Sequence, residues 1–192
     1  MNQINKLMLN ANYFILFDLP VTYELNSKKL RAAYTNLQSQ YHPDRFVACS
    51  EAERNDALRA SSYLNQANET LKSCAKRASY LLELEGIMVS NHANLCNDTS
   101  FLMGQMMLRE KLESVLTHDA PDGLIEEVQE SALQLQIQVS GDFCKAYDQL
   151  KTLSSINQNK SLLSQAQDSV LKLRFIEKLF DEVDVIQVKL LD

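Results

Sequence analysis

Long stretches of this chain repeat an apolar residue every three or four positions, with almost nothing to interrupt them. Leu30, Ala33, Tyr34, Leu37 and Tyr41 follow this spacing, and so do Ala57, Ala60, Leu64, Ala67 and Leu71. Near the end, Ala166, Leu173, Ile176, Phe180, Val183 and Leu190 keep a similar register. Such a period places the apolar side chains on one face of a helix and is incompatible with the two-residue period of a strand. Only 4 Gly and 3 Pro occur in 192 residues, so few turns are signalled. The expected fold class is all-α, with long helices rather than many short strands.

The punctuation that does occur divides the chain. Gly86 reads as a helix C-cap, and the Asn-rich stretch "GIMVSNHANLCND" after it reads as a linker. The expected organisation is an N-terminal domain over 1–86, a linker over 87–97 and a C-terminal domain over 98–192. In the first, Tyr13, Phe14, Phe17 and Leu19 form a short apolar segment ended by Pro20. Ser27 or Asn26 then caps the helix that carries Leu30 to Tyr41, and a second helix begins near Glu51.

Between those two helices stands "YHPDRF". Pro43 disfavours helical geometry for His42 and has no N–H to give. The spacing therefore predicts a helical hairpin with His42, Pro43, Asp44 and Arg45 at its tip. Lys28, Lys29 and Arg31 lie off the apolar face of the preceding helix, where a plain solvated surface is the competing reading. His42 and Asp44 do not read as an acid–base pair: no nucleophile is implied beside them, and an exposed tip excludes no water. A contact surface for another protein is the sharper expectation, and a turn without a partner the blander one.

In the second half, Asp98 or Thr99 caps a helix over "SFLMGQMMLREKLESVL", "DAPDG" breaks it at 119–123, and a long helix runs from Leu124 towards Leu153. After the loop "SSINQNKS", a last helix spans about Leu162 to Leu191. Three helices in this order predict an up-down-up bundle. At about 100° per residue, Phe101, Leu108, Leu112 and Val115 share one side of the first of them. Leu102, Met103, Met106 and Met107 lie on the other side, with Glu110 continuing the line. A bundle helix buries one stripe, so the second face is covered by something else: a partner, or the N-terminal domain. Phe175 is off its own helix's core register. It is either a packing wedge or an extension of the Leu102 patch.

Charge and cysteine usage exclude several classes. Ten basic and nine acidic residues fall in 1–86, but nine and sixteen in 87–192, within a net charge of −6. The acidic half argues against nucleic acid. Cys49, Cys74, Cys96 and Cys144 form no C-x-x-C pair and are not flanked by His42, His92 or His118 at ligand spacing, so neither a metal nor a cofactor is expected. No apolar run approaches the roughly 20 residues of a membrane span, and the start reads as neither signal nor transit peptide. A cytoplasmic, non-enzymatic protein is the expectation.

The His42-Pro43-Asp44 triplet at a helix junction, with Tyr41 before it, Phe46 after it and a basic helix leading in, resembles the J-domain of DnaJ-type co-chaperones. "YFILFDLP", "RASYLLELEG", "NDTSFLMGQMMLREKLE" and "VLKLRFIEKLFDEV" resemble, more specifically, the HscB family of J-proteins dedicated to iron–sulfur cluster assembly. The N-terminal C-x-x-C zinc module of some eukaryotic members is absent, as in the bacterial type. The resemblance implies a J-domain joined to a three-helix bundle. It implies two partners: an HscA-type ATPase chaperone and an IscU-type scaffold, with any cluster held by the scaffold. It assigns His42, Pro43, Asp44, Arg45, Lys28, Lys29 and Arg31 to the chaperone, and Leu102, Met103, Met106, Met107, Glu110 and Phe175 to the scaffold. The family often carries an acidic residue where this chain has Met107, and another near Ser114. The alternative within the same class is a J-domain adaptor that brings a different client to a DnaK-type chaperone.

Overall fold

A computed structural model of the chain describes residues 12–89, 98–115, 121–152 and 159–191. Among them there is no strand. The helices are α1 (Tyr13–Leu16), α2 (Ser27–Tyr41), α3 (Glu51–Lys72), α4 (Cys74–Leu84), α5 (Thr99–Ser114), α6 (Pro121–Thr152) and α7 (Lys160–Leu191), with a 3₁₀ turn at Pro43–Phe46. The all-α expectation stands. Contacts divide the chain into two compact units, Met1–Leu81 and Leu82–Asp192. Most of the expected linker, residues 90–97, lies outside the described residues, as do Cys96 and the start of "DAPDG".

In the first unit α2 and α3 pack side by side as the hairpin. The α3 stripe is buried throughout: Ala57, Ala60, Leu64, Ala67 and Leu71 are all within a few per cent of full burial. On α2 only Leu30 is fully buried, while Ala33, Tyr34, Leu37 and Tyr41 are half-buried. The cause is that α2 has α3 on one side and solvent on most of the other. Phe14, Phe17 and Leu19 close the base of the core. The Tyr80 hydroxyl accepts the Tyr13 N–H at 3.0 Å, and the two rings stack with centroids 4.4 Å apart. The helix ends are satisfied as the residue types dictate. The Asn26 side chain accepts from Lys28 and Lys29 N–H. Ser50 and Glu53 form a reciprocal capping box. Beyond α4, Gly86 at φ +77° lets its own N–H reach the Glu83 carbonyl and the Ile87 N–H reach that of Leu82, a left-handed cap that suits glycine.

The second unit is built on α6 and α7. Each runs for about 48 Å, and with a short connection and contacts along their length they are antiparallel. Phe143, Leu150, Leu173, Ile176 and Val183 are fully buried between them. Two sequence expectations shift. The α6 helix begins at Pro121, not Leu124, because proline suits the first helical turn, where no N–H is needed. In α7, which starts at Lys160, Leu179 is the buried residue, Phe180 is half-buried and Leu190 is 39% exposed. The buried arc runs Val170, Leu173, Ile176, Leu179, Val183; both 179 and 180 satisfy the spacing, and the bundle packing selects the former.

Helix α5 lies against this pair, with Phe101, Leu108, Leu112 and Val115 buried. Gly104 sits in its interior, and a Cβ added there would meet no atom within 4 Å. Interior glycine weakens a helix through backbone entropy. Gly104→Ala is therefore expected to stabilise the second unit by about 0.5–1 kcal/mol, read as a raised thermal midpoint by circular dichroism.

Candidate docking sites

The chain break at Pro43 is held by short local bonds. His42 leaves α2 at φ −62°, ψ 130°, the extended geometry that a following proline requires. Its Nδ1 faces both the Asp44 N–H at 3.3 Å and the Asp44 Oδ2 at 3.5 Å. One nitrogen cannot serve both in the same state. We assign the shorter contact, with Nδ1 accepting from the backbone, because it caps the 3₁₀ turn and leaves the carboxylate to water. The imidazole hydrogen is then on Nε2. The Arg45 N–H donates to the His42 carbonyl at 3.0 Å, and its guanidinium reaches back to the Ser39 carbonyl at 3.0 Å. Asp44 is left pointing outwards, with its side chain 85% exposed.

Lys28, Lys29 and Arg31 are also exposed. They lie in the first turns of α2, whereas the tip follows its last residue, so at 1.5 Å per residue they stand roughly 20 Å away. The structure does not bring them together with Asp44. They are a separate basic stretch on the same hairpin. Beside the tip, Pro43, Asp44, Val47, Glu51, Arg54, Asn55 and Leu58 line a shallow cleft of about 410 Å³.

The other face lies on α5. Met103, Met106 and Met107 are 64, 72 and 61% exposed, Leu102 is half-buried and Glu110 is exposed. Phe175 of α7 meets this helix. Its ring stands edge-on to Phe101 with centroids 5.8 Å apart. By helical register, Leu102 and Met106 share the flank of α5 that faces α7, while Met103 and Met107 continue outward. Phe175 is therefore both wedge and rim of the apolar face.

Three residues that the periodicity did not single out shape this region. The Arg109 guanidinium lies 5.5 Å from the Phe175 centroid and pairs with Glu182 at 3.4 Å. The Lys172 ammonium lies over the Phe101 ring and bonds Asp98 Oδ2 at 2.7 Å. Nothing in the local sequence marks these contacts, because the partners are more than sixty positions apart.

Asp98 is the N-cap of α5, and its Oδ1 accepts the Ser100 and Phe101 N–H groups. The Lys172 ammonium, with help from the Ser100 hydroxyl and the Phe101 N–H, holds its carboxyl well below the usual carboxylate range. A depressed carboxyl stabilises the fold above its unfolded value of about 3.9, and that contribution is lost as pH falls through the folded value. Asparagine also caps helices well, so Asp98→Asn removes the charge alone. The variant is expected to melt below the wild type by a constant margin between pH 7 and about pH 5, with the gap closing below about pH 4. Melting curves at a series of pH values check it.

Burial, and then the Glu85 carboxylate that accepts its hydrogen bond at 3.3 Å, raise the Tyr147 hydroxyl well above its ordinary value. This contact is structural, joining the end of α4 to α6. Among the described residues no group of three His, Cys, Asp or Glu side chains is placed to hold a metal ion, and no helix is long and apolar enough to cross a membrane.

Similarity to known proteins covers nearly the whole chain. It is 37% identical over 181 residues to the co-chaperone protein HscB homolog of Shewanella amazonensis, across 94% of this chain and 99% of that one. With the corresponding protein of Psychromonas ingrahamii it shares 40% over the same coverage. The chain belongs to the HscB co-chaperone family. Residues 97–184 match the family model described as the HscB C-terminal oligomerisation domain. Among solved structures, chaperone HscB from Vibrio cholerae superposes with a TM-score of 0.73 at 33% identity, covering 94% of this chain and 99% of that one. The HscB fold is thus the fold of this chain, with the exposed tip in its first unit and the methionine-rich face in its second.

Proposed function

We propose that this HscB-family co-chaperone is a two-site adaptor: the His42-Pro43-Asp44 tip docks on an HscA-type ATPase chaperone, and the α5 face holds an IscU-type iron–sulfur scaffold. The observation that carries the reading is that α5 buries one stripe in its own bundle yet presents three methionines on its other side. Exposed contiguous apolar surface marks interaction sites, and methionine adapts to a partner's shape. The tip supports the first contact. Asp44 offers a solvent-facing carboxylate to a cation, a charge-assisted bond. Pro43 and the His42 bond pre-set the turn, so docking orders little. Lys28, Lys29 and Arg31, set far from Asp44, act by steering an acidic surface during encounter. Holding the scaffold on the second unit raises its effective concentration at the chaperone. Any cluster is the scaffold's cargo.

The test is steady-state ATP hydrolysis by the purified chaperone, with this protein added alone and then with scaffold. The reading expects stimulation by the protein alone and a further rise with scaffold. Stimulation that is indifferent to the scaffold would favour the adaptor for a different client.

A further inference from the structure

The described methionines are all exposed: Met88 at 78%, and Met103, Met106 and Met107 at 61–72% on one helix face. A core methionine is shielded from aqueous oxidants, whereas these sulfurs meet them directly. No described cysteine belongs to the α5 face, since Cys49 follows the tip and Cys74 and Cys144 belong to α4 and α6. The redox-active atoms on this face are thioethers. Met107 adds a third exposed thioether to the face, which makes it more apolar and more oxidisable together.

We propose that Met103, Met106 and Met107 form a peroxide-responsive modification site whose oxidation prevents the free face from docking the scaffold. The inference rests on the reading that the α5 face holds the scaffold. A thioether sulfur attacks one oxygen of a peroxide, the O–O bond breaks, and an S–O bond forms. The second oxygen leaves as water once protons are redistributed. Sulfur loses two electrons and the peroxide gains them. The sulfoxide is polar and a strong acceptor. Buried against an apolar partner surface, its oxygen would lose water without gaining a donor, which opposes binding. The scaffold, while bound, covers the sulfurs and slows their oxidation. The modified face is therefore the free one, and oxidation blocks rebinding. A dithiol-dependent sulfoxide reductase restores the thioethers.

The test treats the full chain with hydrogen peroxide, then with dithiothreitol to reverse thiol oxidation. Sulfoxides are located by peptide mass spectrometry, and affinity for a purified IscU-type scaffold is measured by calorimetry. Oxidation at the three positions is expected to weaken binding at least tenfold, with recovery after methionine sulfoxide reductase. Met103→Leu/Met106→Leu/Met107→Leu keeps apolar volume. Its own affinity before peroxide is the reference, and peroxide is expected to leave that value unchanged, although Met88 still oxidises. Unchanged affinity with all three sulfoxides present would overturn the proposal, and so would an equal loss in the leucine variant. Absence of scaffold binding before peroxide would overturn the docking reading itself, and the proposal with it.

Discussion

With His42→Gln, ATPase stimulation is expected to fall to the chaperone's basal rate while the protein stays folded. The imidazole is half exposed, and its Nδ1 accepts the Asp44 N–H at the turn. Glutamine carries its acceptor and its donor together at the end of a flexible chain, so it cannot place an acceptor at the Nδ1 position and a donor at the Nε2 position together from a backbone held at ψ 130° before Pro43. Loss of a capping side chain costs about 1 kcal/mol, so a modestly lowered melting midpoint, with the protein still folded at assay temperature, accompanies the loss of stimulation. Asp44→Asn separates charge from shape. A hydrogen bond to a charged group contributes about 1.5–3 kcal/mol. The neutral amide should therefore raise the half-maximal concentration for stimulation about 10- to 100-fold. Undiminished stimulation by either variant would remove the tip from the mechanism.

The second large effect is expected at α5. Leu102→Ala/Met103→Ala/Phe175→Ala should weaken scaffold binding about 100-fold or more, since a few apolar anchors carry most of an interface's energy. Phe175 has structural contacts of its own, the edge of Phe101 and the Arg109 guanidinium. Its removal therefore also lowers stability. The double variant Leu102→Ala/Met103→Ala leaves those contacts in place, so a binding loss there isolates the face from the wedge. Stimulation of the chaperone without scaffold should be the same for both variants and the wild type. If calorimetry gave wild-type scaffold affinity for the triple variant, the scaffold site would lie elsewhere.

What the sequence could disclose follows from the range of each interaction. Caps act over three residues, so Gly86 and the break at Pro43 were legible, and the other caps were narrowed to Ser27 or Asn26 and to Asp98 or Thr99, of which the structure uses Asn26 and Asp98. Periodicity identifies a helix face, so the buried α3 stripe and the surplus face of α5 were legible too. It does not say which neighbour a face meets. Phe180 and Leu179 fit the spacing equally, and the packing of the bundle buries Leu179. Arg109, Lys172 and Glu182 were invisible for the same reason, because each acquires its role from a helix distant in the chain. Pro121 misled in the opposite sense: in one dimension it reads as a break, and in the structure it opens a helix.

The tip invites one more thought. Every hydrogen bond described as shaping it spans six residues or fewer: Asp44 to His42, Arg45 to His42 and Ser39, and Ser50 with Glu53. Its hydrogen bonding is therefore local, and the only other support described for the turn is the first part of α3, on which it packs. Such a segment is portable. Residues 39–58, which include the part of α3 that the turn packs on, should keep this loop between two antiparallel helices at the same separation. A designer could graft the chaperone-facing element onto a new client-binding scaffold without rebuilding the core beneath it.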